Sequence, residues 1–374
     1  MRVAHLGVED FRNYERAEVA FEPGLNLVVG PNAQGKTNLL EAIYVLTGFP
    51  SPRGPDPIVV RNGAEHAIVH GTVVRAERTT RVDIELRPGR GRRVLVNRAA
   101  LPAGRSVAEV VAAVYFGPDE LALVKGAPEG RRRFLDDLVV KLRPARDGLR
   151  KEWERVLRQR NAALRATRAR YGGRPDDSLA VWTEAFARAG AALTSARLEV
   201  LTALQPVVAE RYGSVAGAGE VELSYSSSWV REPTHDAGAL QEQLTAAIGG
   251  VAAQEIERGQ SLVGPQRDDF SVVIRTGEGA PIEARTHASQ GDQRTCALAL
   301  KLAEHDVLTA AIGEQPVILL DDVFSELDPT RRAWLAKSVA ELDQALVTTT
   351  AAEDLDLAGV DVIFDVANGK VTRR

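Results

Sequence analysis

The sequence predicts an α/β protein made in two parts: a mixed sheet with a small antiparallel β subdomain, drawn from both chain ends, and a mainly helical arm inserted between them. Three observations carry the prediction. An apolar strand at 25–29 runs through a glycine-rich loop into a helix, a second apolar strand at 317–320 ends in paired carboxylates, and the stretch between them turns to helical periodicity. The expected boundaries are 1–120 with 254–374 for the α/β part and 121–253 for the arm.

Taken in order, the strand at 25–29 is followed by a helix at 38–46, where Leu39, Leu40, Ile43 and Leu46 fall at helical spacing. Alternating segments at 67–74, 81–86 and 94–96, separated by Gly- and Arg-rich turns, predict antiparallel hairpins. Helices are expected at 131–142, 147–170, 179–212 and 239–258, with a short polar strand near 221–227. Strand signals return at 270–275. A helix at 290–311, the apolar strand at 317–320, a helix that Asp328 caps and Pro329 opens, and a strand at 345–349 follow. Asn368-Gly369 marks a two-residue hairpin turn within 364–371. There is no tandem repeat, and no heptad is sustained long enough for an extended coiled coil.

Of 374 residues, 44% are hydrophobic and 26% charged, which is a globular composition. No run of about 18 apolar residues occurs. The first residues lack the basic-then-apolar layout of a secretion signal, so the expected location is the cytoplasm. The single Cys296 excludes an internal disulfide framework and a Cys-rich zinc site, and the six histidines show no ligand spacing. Any metal is therefore expected to be held by oxygen. A net charge of −4 gives no global argument for nucleic acid, which must come from local charge instead.

The loop Gly30-Pro31-Asn32-Ala33-Gln34-Gly35-Lys36-Thr37 fits G-x-x-x-x-G-K-[ST], and the strand before it and helix after it supply the required context. Loop amides and the helix dipole are suited to phosphate, Lys36 to the β/γ oxygens, and Thr37 to magnesium. ATP with Mg2+ is the expected ligand. Asp321 and Asp322, at the end of the second apolar strand, are expected to anchor magnesium and to polarise an attacking water, respectively. With aspartate rather than glutamate at 322, slow turnover is expected.

Ser289-Gln290-Gly291-Asp292-Gln293 opens the helix at 290–311, with Ser289 as its cap, and resembles the signature of ABC-type ATPases; Ser325 to Asp328 resembles their D-loop. Together with 10–13 (Asp-Phe-Arg-Asn), 131–136, 159–165, 264–269 and 319–322, these segments resemble the RecF family of bacterial recombination mediators along essentially the whole chain. Gln266 and Asp292 depart from residues common in that family, and 348–350 is a threonine run where transporter ATPases carry a switch histidine.

The resemblance implies a P-loop ABC-type head with an inserted helical arm, and a homodimer closing around two ATP molecules so that each Ser289 reaches the γ-phosphate held by its partner. It adds Arg12, Asn13 and Asn38 to the ATP contacts and Thr349 to a switch region. It further implies weak DNA-stimulated ATP hydrolysis, DNA binding without sequence preference, roles in replication, recombinational repair and the SOS response, and work with RecR, RecO and RecA. Between 143 and 170 roughly ten Lys and Arg face about three acids, making a basic island. Candidate DNA contacts are Arg131, Arg132, Arg133, Arg155, Arg158 and Arg160. A small-molecule kinase would bring its second carboxylate motif sooner, and a transporter subunit would lack so long an insertion. A nucleotide-gated scaffold with negligible catalysis is the alternative that sequence alone does not separate.

Overall fold

The structure is a computed structural model that describes residues 1–102, 104–170, 177–216, 219–275, 280–350 and 359–374. The chain opens with β1 (Arg2–Phe11), β2 (Tyr14–Ala20) and β3 (Gly24–Val29), then helix α1 (Lys36–Leu46) and the one-turn α2 (Asp56–Val59). Strands β4 (Ala67–Arg75), β5 (Arg78–Arg87), β6 (Gly91–Val96), β7 (Ala99–Ala100) and β8 (Ala113–Phe116) follow. The middle contains α3 (Ala122–Lys125), α4 (Pro128–Leu142), α5 (Gly148–Arg170), α6 (Asp177–Ala216), β9 (Glu220–Ser226), α7 (Ala237–Arg258), β10 (Asp269–Arg275), β11 (Ile282–Glu283) and α8 (Ala284–His287). The chain ends with α9 (Gln290–Ile312), β12 (Val317–Asp321), α10 (Pro329–Ala340), β13 (Gln344–Thr349), β14 (Val360–Ala367) and β15 (Lys370–Arg373).

Contacts divide the chain into two compact units, Met1–Glu120 with Leu298–Arg374, and Leu121–Ala297. The first holds two six-stranded sheets. One is antiparallel throughout, in the order β2-β1-β4-β5-β6-β7; the other is mixed, in the order β15-β14-β3-β13-β12-β8. Strand β3 has parallel neighbours on both sides, and its run from Leu25 to Val29 is buried. This is why it reads as unbroken apolar rather than alternating sequence. Strand β4 alternates buried and half-buried residues, as expected for a sheet with one covered face. Strands β1 and β2 are missing from the sequence expectation. A register shift between Val3 and His5 breaks the two-residue period that would have revealed β1.

The second unit has its core around Trp153, Val156, Phe186, Trp229, Leu244 and Val263. It extends to Ala297, past the arm boundary of 253 expected from sequence. The reason is pairing: β10 lies antiparallel to β9 along its whole length, so residues 269–275 are drawn to the inserted segment. Buried ion pairs also cross this unit. Arg197 forks onto Asp136 at 2.7 and 3.0 Å, and burial is offset by two charge-assisted bonds. Among the described residues no helix is long and apolar enough to cross a membrane.

Candidate nucleotide site

The loop between β3 and α1 wraps a cavity of about 330 Å3 lined by Asn32, Ala33, Gly35, Lys36, Thr37, Asn38, Arg53, Asp321, Asp322 and Thr348. Two glycines fit the loop for different reasons. A Cβ on Gly30 would meet the carbonyl oxygen of Val366 at 2.2 Å, and Gly35 has φ of 119°, a region that side chains rarely adopt. The Tyr14 hydroxyl donates to the Gly35 carbonyl at 2.9 Å, and Asn13 Nδ2 donates to the Gln34 carbonyl at 2.9 Å, so the hairpin joining β1 and β2 braces the loop from behind. From the far end of the chain, the Asn368 amide donates to Gln34 Oε1 at 2.7 Å.

Lys36 begins α1, and its ammonium donates to the carbonyls of Gly30 and Pro31 at 2.6 and 3.0 Å. Burial lowers its pKa, opposed by the nearby Asp322 and Asp321 carboxylates. The ammonium is thus a desolvated charge facing two acids across the cavity. Asp321 is almost fully buried and receives three hydroxyls: Thr37 at 2.9 Å, Thr348 at 2.8 Å and Tyr115 at 2.9 Å. These bonds fix both carboxylate oxygens beside the phosphate loop. Burial raises the Tyr115 pKa, and the charge of Asp321 raises it further, so the phenol stays protonated and remains a donor. Asp322 follows in a left-handed conformation, φ 52°, which turns its side chain out of the strand and onto the cavity; its amide donates to Thr348 Oγ1 at 2.9 Å.

Set beside the sequence expectations, the loop residues divide. Asn32, Ala33, Gly35, Lys36, Thr37 and Asn38 line the cavity, whereas Gly30, Pro31 and Gln34 form its outer support. Arg12 does not line it: its guanidinium forks onto the fully buried Glu41 at 2.9 and 2.6 Å and caps the Ile58 carbonyl. An uncompensated buried Glu41 would be costly, which accounts for the arginine structurally. Asn13 buttresses Gln34 and accepts from Asn38 Nδ2. Thr349 is also corrected. Neighbouring residues of a strand face opposite sides, so with Thr348 on the cavity, Thr349 turns its buried side chain away and offers its carbonyl to the Gly30 amide. Sequence reasoning missed Thr348, Tyr115 and Arg53. The proline-rich segment at 50–57, soon after the phosphate helix, is a signal that could have drawn attention to Arg53.

At the signature turn, Ser289 is exposed, accepts from the Asp292 amide at 3.1 Å and donates to the Asp292 carboxylate at 2.7 Å. Gln293 is buried, its amide donating to the Ala284 and Arg285 carbonyls. Gln290 remains exposed, with Gly291 half-buried beside it. Ser325 donates to the Asp322 carbonyl at 2.7 Å and Asp328 caps α10 through the Thr330 and Arg331 amides, so both D-loop residues have local structural partners.

The arginine candidates separate by burial. Arg131 is 3% exposed and forks onto Asp269 at 2.7 Å through both nitrogens, and Arg160 is 2% exposed between Glu255, Ser261 and Thr183. Neither guanidinium is accessible to a DNA phosphate, so both assignments are withdrawn. Arg132 is half-buried and donates to the Asp268 carbonyl, and Arg133 is half-buried near Asp137. Arg155 and Arg158 are exposed on α5; Arg155 pairs with Glu152.

A family model described as RecF/RecN/SMC N terminal domain matches residues 2–372. Among curated relatives, the chain is 45% identical over 381 residues to the DNA replication and repair protein RecF of Streptomyces avermitilis, covering all of both chains. It is 40% identical over 421 residues to the protein of the same name from a Nocardioides species, again covering all of both. A solved structure described as the recombination mediator protein RecF-ATP in the RecFOR pathway superposes with a TM-score of 0.90 at 28% identity, over 100% of this chain and 97% of that one. An Smc head domain from Pyrococcus furiosus, at TM-score 0.55 and 14% identity over 100% of this chain and 96% of that one, shares the fold alone.

Proposed function

Since the chain belongs to the RecF family of the RecF/RecN/SMC group, we propose that it is an ATP-dependent DNA-binding protein of replication and recombinational repair. In this reading a homodimer closes around two ATP molecules on duplex or gapped DNA and is released by slow hydrolysis. Residues 1–120 and 298–374 carry the nucleotide-binding cavity, and 121–297 form the mainly helical unit that bears Ser289. The observation that carries the reading is the convergence of Lys36, Thr37, Asp321 and Asp322 on one cavity.

The donor set suits magnesium. The Thr37 hydroxyl and the Asp321 carboxylate are hard oxygen donors only 2.9 Å apart beside the phosphate loop, and an ion held there would neutralise phosphate charge as the bond to the γ-phosphoryl breaks. The loop amides and Lys36 orient the triphosphate, while Asp322 accepts a proton from the attacking water. Thr348 donates to Asp321 and accepts from the Asp322 amide, and so holds the two carboxylates in a fixed relation. Ser289 of a second copy, exposed at the start of a long helix, would complete the site from the open side. Hydrolysis removes the γ-phosphate that both copies grip, which sets the lifetime of the clamp. Cooperation with RecR, RecO and RecA follows from family membership. The shorter Asp322 favours a second reading, a nucleotide-gated scaffold with negligible turnover.

Three measurements test the proposal. Lys36→Ala should abolish ATP binding by at least about a hundredfold, while Asp322→Asn should bind ATP normally, lose turnover and stay on DNA longer. Sedimentation with a non-hydrolysable ATP analogue should show a dimer at micromolar protein; monomer alone under those conditions excludes the clamp. If parent and Asp322→Asn both hydrolyse nothing above background while ATP still drives pairing, the scaffold reading replaces the enzyme.

A further inference from the structure

We propose that His5, Glu18 and His70 form a binding site for a divalent transition metal of the zinc class, on the outer face of the antiparallel sheet. The three residues come from β1, β2 and β4, separated in sequence but adjacent by strand pairing. One ligand atom from each lies within 4.8 Å of the others. His5 Nε2 is 3.2 Å from one oxygen of Glu18 and His70 Nε2 is 3.4 Å from the other. Tetrahedral zinc with metal–ligand distances of about 2.0–2.1 Å separates its ligands by roughly 3.3–3.4 Å, so each histidine already stands about one such edge from an oxygen of the carboxylate, and a small rotation of the Glu18 side chain brings one oxygen towards both rings. The two rings lie side by side, with centroids 6.1 Å apart and planes at 26°, and both present Nε2 to the Glu18 carboxylate.

The strand between them makes room for this convergence. Gly7 on β1 is paired directly with Glu18 on one side and His70 on the other, and His5 lies two residues away on the same face. A Cβ at Gly7 would stand 2.2 Å from the His70 ring and 2.5 Å from a Glu18 oxygen. Any other residue there would push the two ligands apart. His70 is mostly covered and His5 and Glu18 are about one-third exposed, so the cluster is anchored on one side and open to solvent on the other. Three protein ligands with an open fourth position are a common arrangement for zinc, and two imidazoles with a carboxylate favour zinc, cobalt or nickel over magnesium. Arg16 approaches the same carboxylate at 4.0 Å, but its side chain is 70% exposed and free to swing into water. Arg81 also acts on Glu18 through its charge and would compete with a metal.

The site is independent of the nucleotide reading. The test uses the tag-free full chain, stripped of metal and nucleotide, titrated with Co2+ and followed by visible absorption, then with Zn2+ against a chromophoric chelator. One equivalent should bind at neutral pH, and His5→Ala and His70→Ala should each weaken it by at least about tenfold. Gly7→Ala, which keeps all three ligand residues but crowds His70 and Glu18, should weaken it too. Far-UV circular dichroism and a thermal melt of each variant separate lost binding from lost folding. Absence of stoichiometric uptake, or equal uptake by the His5→Ala/His70→Ala double variant, overturns the proposal.

Discussion

Asp321 shows how much a single carboxylate depends on its donors. Tyr115→Phe removes the hydroxyl that satisfies Oδ2 and is expected to cost about 1–3 kcal/mol in urea denaturation, the usual cost of a buried acceptor left without its partner. It should also weaken ATP binding, although Tyr115 does not line the cavity. If Ser289 of one copy meets the γ-phosphate held by another, Asp292 places negative charge beside that phosphate. Asp292→Gln should therefore tighten ATP-dependent pairing several-fold in sedimentation, and no change would separate this side chain from the interface. Lys36, Thr37 and the two aspartates were legible in the sequence because the loop is local and each strand runs straight into its chemistry. Tyr115 and Thr348 were not, since parallel pairing of β8 with β12 and of β12 with β13 decides that they meet Asp321. Arg131, Arg158 and Arg160 look alike as letters, and only packing distinguishes a buried fork from a solvated cation. Arg160→Ala should destabilise by about 3–5 kcal/mol, because it strands Glu255, whereas Arg158→Ala should leave stability nearly unchanged.

At the scale of elements, the long helices and the parallel strands β3, β12 and β13 were readable, whereas β1, β2 and the short parallel strand β8 were not. Periodicity found α4 to α7 because each keeps an apolar stripe, and found β12 because both its neighbours cover it. The closing hairpin was legible from Asn368-Gly369 alone, and both residues take positive φ, 51° and 69°, between β14 and β15. The β9–β10 ladder carries its own pH dependence. Asp268, just before β10, accepts from the Tyr225 hydroxyl at 2.8 Å and from Trp229 Nε1 at 3.1 Å, yet burial raises its pKa from 3.8 to about 6. The folded state therefore holds this proton more tightly than the unfolded chain does. Its contribution is most favourable below about pH 4, declines as pH rises towards 6, and is constant above that, a total of roughly 3 kcal/mol at most. Asp268→Asn should lack this component. Urea titrations of both proteins between pH 4.5 and 7.5 should diverge in slope, and parallel profiles would refute the assignment.

For the whole molecule, a net charge of −4 conceals an uneven surface. Lys151, Arg155, Arg158 and Arg165 are exposed along α5, although Lys151 and Arg155 each have an acidic neighbour within a turn. If this helix carries the phosphate contacts, replacing Arg155, Arg158 and Arg165 by alanine should reduce the log–log salt slope of DNA binding by up to about three. An unchanged slope places the contacts elsewhere. The sequence located the basic island but did not show how many of its charges are already paired.

Strand β3 leads into the phosphate loop, yet β13 and β14 on either side of it come from more than three hundred residues later in the chain. During synthesis the glycine-rich loop therefore leaves the ribosome long before its flanking strands exist. A nascent chain halted before residue 317 would lack Asp321, Thr348 and the amide of Asn368 that holds Gln34. Nucleotide capture is thus deferred until translation is nearly finished, and β3 spends that interval with both hydrogen-bonding edges open to aggregation or to a chaperone.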